Sequence, residues 1–212
     1  MNRDLHHYRR NYLSAELLES NIDLDPMVQF ATWFKEYEAV ASHEANTVCI
    51  STNGALGPSS RIVLLKSFDA QGFVFYTNYE SRKAQEAEAS AKVGMLFFWP
   101  ELERQVRVQG QIARIDEAES DRYFNSRPFE SRIGALTSNQ SKPIKDRAEL
   151  ENTYTQLAQE WEGRQVERPK NWGGYKVVPV QMEFWQGRPS RLHDRIEYNW
   201  IGGSWQIQRL AP

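Results

Sequence analysis

The chain has 212 residues, of which 40% are hydrophobic and 25% charged, a balance typical of a globular protein. Its formal net charge is −2 and its pI is near 6.1, which argues against a nucleic-acid partner because nucleic-acid-binding domains are usually basic. The single cysteine, Cys49, excludes an internal disulfide. No signal peptide or membrane span is visible, so we expect a soluble, cytoplasmic protein without a membrane partner.

The hydrophobic pattern divides the chain into an arm and one folded domain. Residues 1–25 are polar and charged without a clear apolar face, and we interpret them as a mobile N-terminal arm. Asp25 and Pro26 are typical of a helix start, and apolar residues then recur at helical spacing to about Ser42. We therefore expect a single domain over residues 26–212.

Most of this domain has the pattern of strands separated by turns. β-Branched and aromatic residues concentrate in the runs NTVCIST, SSRIVLLKSF, GFVFYTN, VGMLFFW, ERQVRVQGQIARI, YKVVPVQMEFW, RIEYNWI and SWQIQRL. Helical patterns lie between them, at about 81–91, 117–127, from 130 onward and at 145–162. The order predicts a mainly β fold with peripheral helices (α+β), built as a small antiparallel closed or split barrel.

Common nucleotide and metal motifs are absent from the sequence. Neither GxGxxG nor GxxxxGK[ST] occurs, so any phosphate group would have to be bound mainly by side chains. The four histidines show no metal-ligand spacing, and we expect no metal site.

The run RIVLLK, residues 61–66, contains the first pair of candidate cations. Strand alternation places Arg61 and Lys66 on opposite faces, at the two ends of an apolar strand. They are either solvated strand ends or members of an anion site.

A second pair follows Ser81, which has the position of a helix N-cap. Arg82 and Lys83 then fall in the first helical turn, where cations oppose the helix dipole at a cost of about 0.3–1 kcal/mol each. This order is reasonable if an external anion lies over the helix start. The alternative is two exposed basic residues.

The stretch RYFNSRPFES, residues 122–131, suggests a monophosphate site. Tyr123 and Arg127 are four residues apart and share a helical face, and Ser131 follows Pro128. A guanidinium with two hydroxyls suits a phosphate monoester, although Tyr-x3-Arg is also common on helix surfaces.

Three further polar residues are candidates for ligand contacts. Gln105 lies on a strand face whose alternate residues are all polar, so that face is either solvent-exposed or a ligand wall. Gln140 and Ser141 lie in the loop TSNQSKP and could supply an amide and a hydroxyl, although such loops usually have no ligand.

The stretch EFWQGRPSRLHDR, residues 183–195, places two arginines and a histidine directly after an aromatic strand end. The pattern formed by MEFWQ, a spacer of four residues and then RLHDR closely resembles the signature of pyridoxamine (pyridoxine) 5′-phosphate oxidases. The blocks RIVLLK, FYTN, SRKA, ERQVRV, YFNSRP, SNQS, NWGGY and RLAP resemble that family's blocks in the same order. The resemblance implies a homodimeric split barrel with FMN at the subunit interface.

The resemblance also implies roles for individual residues. It assigns contacts with FMN to Arg61, Ile62, Val63, Leu64, Leu65, Lys66, Tyr76, Thr77, Arg82, Lys83, Gln105, Gln140, Ser141, Trp185 and Arg195. It assigns contacts with the substrate to Lys66, Tyr123, Arg127, Ser131, Arg191, Leu192 and His193, and to the lid residues Arg9, Arg10, Asn11 and Tyr12. Arg191 and His193 are the implied catalytic residues.

The activity implied by the resemblance is oxidation of pyridoxamine or pyridoxine 5′-phosphate to pyridoxal 5′-phosphate, with O₂ as acceptor and H₂O₂ as by-product. FMN and the substrate each carry a phosphate of about −1.5 to −2, so several cations must neutralise them. His193 would either orient Arg191 or accept a proton from the substrate, and we favour the orienting role. A split-barrel flavin reductase and a non-catalytic pyridoxal 5′-phosphate carrier are the alternatives.

Overall fold

The structure is a computed structural model that describes residues 3–7 and 11–212. The described residues form five α-helices: α1 (Pro26–Glu38), α2 (Arg82–Ser90), α3 (Glu117–Ser126), α4 (Phe129–Thr137) and α5 (Arg147–Glu160). They also form nine strands: β1 (Thr47–Gly54), β2 (Gly57–Leu64), β3 (Ser67–Asp69), β4 (Gly72–Asn78), β5 (Lys92–Trp99), β6 (Arg104–Arg114), β7 (Trp172–Gln186), β8 (Asp194–Ile201) and β9 (Ser204–Arg209). The predicted mainly β fold with helices between strands is confirmed.

The strands pair in the order β2-β1-β5-β6-β7-β4-β3, while β8 pairs with β7 and β9 with β8. The 15-residue strand β7 pairs antiparallel with β4 through its first half, from Trp172 to Val177, and with β8 through its second half, from Gln181 to Gln186. Among the described strands, β2 and β3 end the order without pairing with each other, so the sheet is open.

Two compact units divide the described residues. The first unit comprises segments 1–49, 94–109 and 179–212, and the second comprises segments 50–93 and 110–178. The expected single domain over residues 26–212 stays a prediction. No helix in the described part of the chain is long and apolar enough to cross a lipid bilayer.

The core of the first unit is an aromatic cluster on α1. This helix starts as predicted, since the Asp25 carboxylate accepts from the Met27 amide at 2.8 Å, but it ends at Glu38, before the expected Ser42. The Phe30 ring contacts Phe97 at a centroid distance of 4.9 Å and is fully buried. Burial of each such ring contributes roughly 1.5–3 kcal/mol to stability, so this face fixes α1 on the sheet.

The core of the second unit packs α3 and α4 against the start of β7. Phe124, Ile133, Val166 and Trp172 form its buried centre. α5 has no fully buried residue, but its partly buried Tyr154, Leu157 and Ala158 pack against this centre.

The predicted strand SSRIVLLKSF is wrong in one respect, because it is two strands joined by a corner. β2 ends at Leu64 and pairs with β1, whereas β3 starts at Ser67 and pairs with β4. The Lys66 amide donates to the Val74 carbonyl at 2.8 Å, so the chain changes its pairing partner at this corner. Leu65 is buried and Lys66 is exposed, which turns the lysine out of the core.

Candidate active site

The second unit contains a cavity of about 670 Å³, a size typical of small-molecule sites. It brings together predicted site residues from five separate segments of the sequence: Ile62, Val63, Leu64, Lys66, Tyr76, Thr77, Lys83, Tyr123, Arg127, Ser131 and Gln140. Its other lining residues were not predicted: Asn78, Pro128, Gly134, Ala135, Ser138 and Trp172.

Lys83 lies on one wall of this cavity, and within the described ranges its side chain donates hydrogen bonds only to neutral oxygens. Its Nζ donates to Thr77 Oγ1 at 2.8 Å, to Ser81 Oγ at 3.1 Å and to Gln140 Oε1 at 3.0 Å. Burial and the nearby charge of Arg61 lower the pKa of Lys83 to about 8. A partly desolvated ammonium without a carboxylate partner is suited to an external anion.

The first turn of α2 adds further positive potential beside Lys83. Ser81 is the N-cap residue, as predicted, but its side chain makes no capping hydrogen bond and instead accepts from Lys83. No acidic residue lies in that first turn. Because the N-terminal amides of a helix attract anions, this arrangement strengthens the anion site.

Arg127 lies on another wall of the cavity, against a stack of three aromatic rings. The Tyr76 ring is 3.9 Å from the Tyr123 ring and 5.5 Å from the Trp172 ring, with interplanar angles of 22° and 13°. The Arg127 guanidinium lies 4.7 Å from the Trp172 centroid, and its buried Nη1 has no hydrogen-bond partner among the described residues. Burial lowers the pKa of Arg127. This buried donor is therefore available to a ligand oxygen.

The charge of the cavity is uniformly positive. Lys66, Lys83 and Arg127 line it, and none of the lining residues that the structure describes is acidic. Hydroxyls of Tyr123 and Ser131 and the amide of Gln140 add neutral hydrogen-bonding groups. These donors fit phosphate groups, which bind best through several charge-assisted hydrogen bonds.

Four predicted FMN contacts of the second unit do not line the cavity. Arg61 donates to Thr52 Oγ1 at 2.6 Å and to Ser59 Oγ at 2.7 Å, and forms an ion pair with Glu86 at 3.4 Å. The remaining three are placed elsewhere: Leu65 is buried, Arg82 is exposed on α2, and Ser141 lines a smaller cavity of about 190 Å³.

The first unit contains a second group of predicted site residues around Trp185 and His193. Their ring centroids are 4.6 Å apart, and the Tyr12 ring lies 5.8 Å from Trp185 and 5.7 Å from His193 in edge contacts. Arg191 is exposed and has a φ of 63°, a left-handed conformation that is strained for an arginine. The fold thus supports an unusual backbone at a predicted catalytic residue.

The hydrogen bonding of His193 determines where its proton lies. The Arg188 amide donates to Nδ1 at 3.1 Å, so a neutral His193 carries its proton on Nε2. Burial and the charge of Arg191 lower the pKa of His193, and Asp194 opposes them. At neutral pH the ring is therefore an uncharged donor at Nε2 rather than a proton acceptor there.

Arg195 is held by a buried carboxylate. Its Nε and Nη2 donate to the two oxygens of Glu183 at 2.8 and 3.1 Å, and Arg107 donates to the same carboxylate at 3.0 Å. Trp185 lies opposite Arg195 across the β7–β8 pair. The guanidinium orientation is therefore fixed in this unit.

The remaining predicted residues lie apart from the cavity of the second unit or outside the described part of the chain. Gln105 is half-buried on β6, and Asn11 and Leu192 are exposed. Arg9 and Arg10 lie outside the described residues. Among the described residues, no group of three or more His, Cys, Asp or Glu side chains could hold a metal ion.

Comparison with known protein families identifies the group to which this fold and these residues belong. A family model described as pyridoxamine 5′-phosphate oxidase matches residues 34–160. The chain belongs to the pyridoxamine 5′-phosphate oxidase family. A second model, described as the pyridoxine 5′-phosphate oxidase C-terminal dimerisation region, matches residues 172–212.

A relative within the pyridoxamine 5′-phosphate oxidase family is similar in sequence over almost the whole of this chain. The pyridoxine/pyridoxamine 5′-phosphate oxidase of Rubrobacter xylanophilus is 50% identical over 211 residues, which cover 99% of this chain and 97% of the relative. The chain is thus a member of an oxidoreductase family.

Two solved structures are similar to this fold. PhzG from Burkholderia lata 383, in complex with tetrahydrophenazine-1-carboxylic acid, has 27% identity and a TM-score of 0.87, covering 94% of this chain and 100% of that one. A pyridoxamine 5′-phosphate oxidase-related, FMN-binding protein from Nostoc punctiforme has 16% identity and a TM-score of 0.70, covering 90% and 100%. The expected antiparallel split-barrel fold is confirmed.

Sequence reasoning missed two residues, one in each unit, that contact predicted site residues. Trp172 carries Arg127 on its ring, and Glu183 holds Arg195. The sequence gives only a weak signal for these two residues. Trp172 is a large residue and Glu183 is a charged one, within a strand that otherwise packs into the core. Their partners lie too far away in sequence to be inferred from spacing.

The effect of the Arg191 charge on His193 leads to a prediction about titration. Because the Arg191 charge lowers the pKa of His193, Arg191→Ala should raise that pKa toward the ordinary value of about 6.5. NMR titration of the imidazole measures it. Arg147→Ala, which removes a cation from an exposed pair with Glu151, is the control and should leave the titration unchanged. An unchanged midpoint in Arg191→Ala would contradict the coupling.

Proposed function

We propose that this protein oxidises pyridoxamine 5′-phosphate and pyridoxine 5′-phosphate to pyridoxal 5′-phosphate, with FMN as cofactor and O₂ as acceptor, giving H₂O₂. The observation that carries the proposal is a cavity whose described lining residues include no acid, together with the buried Nη1 of Arg127, which has no hydrogen-bond partner among the residues that the structure describes. Lys66, Tyr123 and Ser131 line the same cavity, and this set suits a small phosphomonoester. A flavin reductase would not need such a set.

Binding of FMN is supported by the other polar wall of the cavity. Lys83, Thr77 and Gln140 form one hydrogen-bonded group there, beside the uncapped start of α2. These donors would hold the FMN phosphate, with Arg61 and Arg82 as further candidate cations. When bound, FMN would take a hydride from the substrate C4′ carbon and pass the electrons to O₂.

A homodimer with FMN at the subunit interface is part of the proposal. The match of residues 172–212 to a dimerisation region supports it. That segment contains Trp185 and Arg195, whose contact with FMN is implied by the family resemblance. The bidentate pairing of Arg195 with Glu183 would present a guanidinium of fixed orientation to the cofactor.

The substrate's ring would be bound by the residues near His193. Arg191 is permanently charged and would favour the ionised phenolate of the substrate by lying on its ring. His193 acts as a donor from Nε2, because the Arg188 amide occupies Nδ1. The role of His193 is therefore to orient Arg191 or the substrate, and proton acceptance at Nδ1 would require loss of the Arg188 contact.

The activity is tested by adding pyridoxamine 5′-phosphate or pyridoxine 5′-phosphate to the FMN-loaded protein. We expect H₂O₂ and pyridoxal 5′-phosphate in equal amounts. Unphosphorylated pyridoxamine is the matched control and should react poorly. Binding of pyridoxal 5′-phosphate without any peroxide would instead indicate a carrier, and flavin reduction by a nicotinamide cofactor alone would indicate a reductase.

Removal of the Arg127 guanidinium should weaken substrate binding. Arg127→Ala deletes a charge-assisted contact of ~1.5–3 kcal/mol, so KM for pyridoxamine 5′-phosphate should rise roughly 10- to 200-fold. Arg127→Lys should be intermediate. Arg122→Ala, which removes an exposed cation from α3, the helix that ends directly before Arg127, is the control. Steady-state kinetics measure the effect, and an unchanged KM in Arg127→Ala would refute the phosphate site.

The lowered pKa of Lys83 predicts pH-dependent binding of FMN. The ammonium is charged below its pKa of about 8, and only the charged form attracts the phosphate. FMN affinity should therefore fall as the pH rises from about 7 to about 9, because Lys83 loses its proton in this interval. Lys83→Arg, whose charge is permanent, should remove this dependence. Flavin fluorescence titrations measure the dissociation constant, and an equal decline in Lys83→Arg would contradict the assignment.

A further inference from the structure

The described part of the N-terminal arm makes several contacts with the rest of the first unit. Arg188 donates to the Ala15 carbonyl and to Glu16, the Leu17 amide donates to Asp194, and two further contacts lie on either side of these. At the first, the amides of Leu13 and Ser14 donate to a single oxygen, Oε2 of Glu103, at 2.8 and 3.0 Å. At the second, Arg209 pairs with both oxygens of Glu19 at 2.7 and 2.9 Å. The arm is thus fixed from Leu13 onward, and Tyr12 directly precedes the first of these contacts.

Glu103 is an unusual residue for its position. It is only 4% exposed, and its φ is 55°, a left-handed conformation that glycine or asparagine would adopt more easily. A turn alone would not require a buried glutamate at this place. Its carboxylate instead accepts the two arm amides, and a charged oxygen binds two amides more strongly than a neutral oxygen does.

The Glu103 turn, the arm and the end of β7 meet at Gly187. The Gly187 amide donates to the Glu103 carbonyl at 2.8 Å. A Cβ at Gly187 would lie 2.7 Å from Tyr12 Cγ and 3.1 Å from Glu103 Cβ, so the Tyr12 ring lies directly on the glycine backbone. Tyr12 therefore reaches Trp185 and His193 through a close approach that only a glycine permits.

We propose that Glu103 is a positioning residue that holds Tyr12 on the Trp185–His193 pair and so favours substrate binding. The inference rests on the proposed function, because it assigns the substrate to the His193 region. Glu103 acts through the arm: its carboxylate fixes the two amides that follow Tyr12, and this restricts where the Tyr12 ring can lie. Loss of the contact should free the arm up to Ser14, while the contacts of Ala15, Glu16 and Leu17 remain, and should weaken substrate binding without removing a reacting group.

The test compares the FMN-loaded protein with its Glu103→Gly variant, because glycine removes the carboxylate and suits the positive φ. Hydrogen exchange at the Leu13 and Ser14 amides should become at least roughly tenfold faster. KM for pyridoxamine 5′-phosphate and Kd for pyridoxal 5′-phosphate should both rise roughly tenfold, while kcat stays within about twofold. Glu103→Gln keeps an oxygen acceptor and should be intermediate.

Two comparisons separate this role from general destabilisation. Glu101→Gln removes a carboxylate two residues away that accepts from Tyr37 and Ser42, and it should leave arm exchange and KM unchanged. In a Tyr12→Ala background, Glu103→Gly should change KM and Kd by less than about twofold, because the two residues act in series.

Each result decides one part of the proposal. Unchanged exchange in Glu103→Gly overturns the contact between Glu103 and the arm. Faster exchange with unchanged KM and Kd overturns the positioning role, and additive effects with Tyr12→Ala overturn the route through Tyr12. If the unmodified protein neither turns over pyridoxamine 5′-phosphate nor binds pyridoxal 5′-phosphate, the proposed function and the positioning role both fail, and the exchange comparison still decides whether Glu103 holds the arm.

Discussion

Positive charge held in a cavity without a carboxylate is the constraint on which the site depends. Lys83 and Arg127 lose hydration on folding, and burial lowers the pKa of both. Their described neighbours in the cavity supply neutral oxygens and aromatic faces only. The folded chain therefore holds these cations at a cost that an anionic ligand would offset, which couples ligand binding to stability.

Paired arginines of the first unit differ from the cations that line the cavity of the second unit. In the first unit, Arg195, Arg209 and Arg104 each pair with a glutamate, namely Glu183, Glu19 and Glu36. Such pairs fix the position of a side chain and contribute little attraction for an outside anion. The cations that line the cavity of the second unit have no carboxylate partner within the described part of the chain, so they attract a ligand, while the rings of Tyr76, Tyr123 and Trp172 keep the Arg127 wall in place.

Local patterns predicted most of the fold, whereas the site required more than local patterns. Helical spacing and alternation were sufficient for α1 and most strands, because the identity of each element depends on its own residues. The corner at Leu65 and Lys66 was missed because it depends on pairing with β4. Arg61 is paired with Glu86, 25 positions away, which spacing cannot reveal. Neither Glu103 nor Arg191 has a residue type that signals a positive φ.

The length of β7 has a consequence for how this gene can change. One uninterrupted strand pairs with β4 near its start and with β8 near its end, and side chains alternate between its faces throughout. Insertion or deletion of a single codon near Pro179 would keep one pairing and invert the other half, moving Glu183 and Trp185 to the face now taken by Phe184. A change in length of one residue therefore inverts half of the strand, whereas a change of two residues keeps each side chain of β7 on its own face.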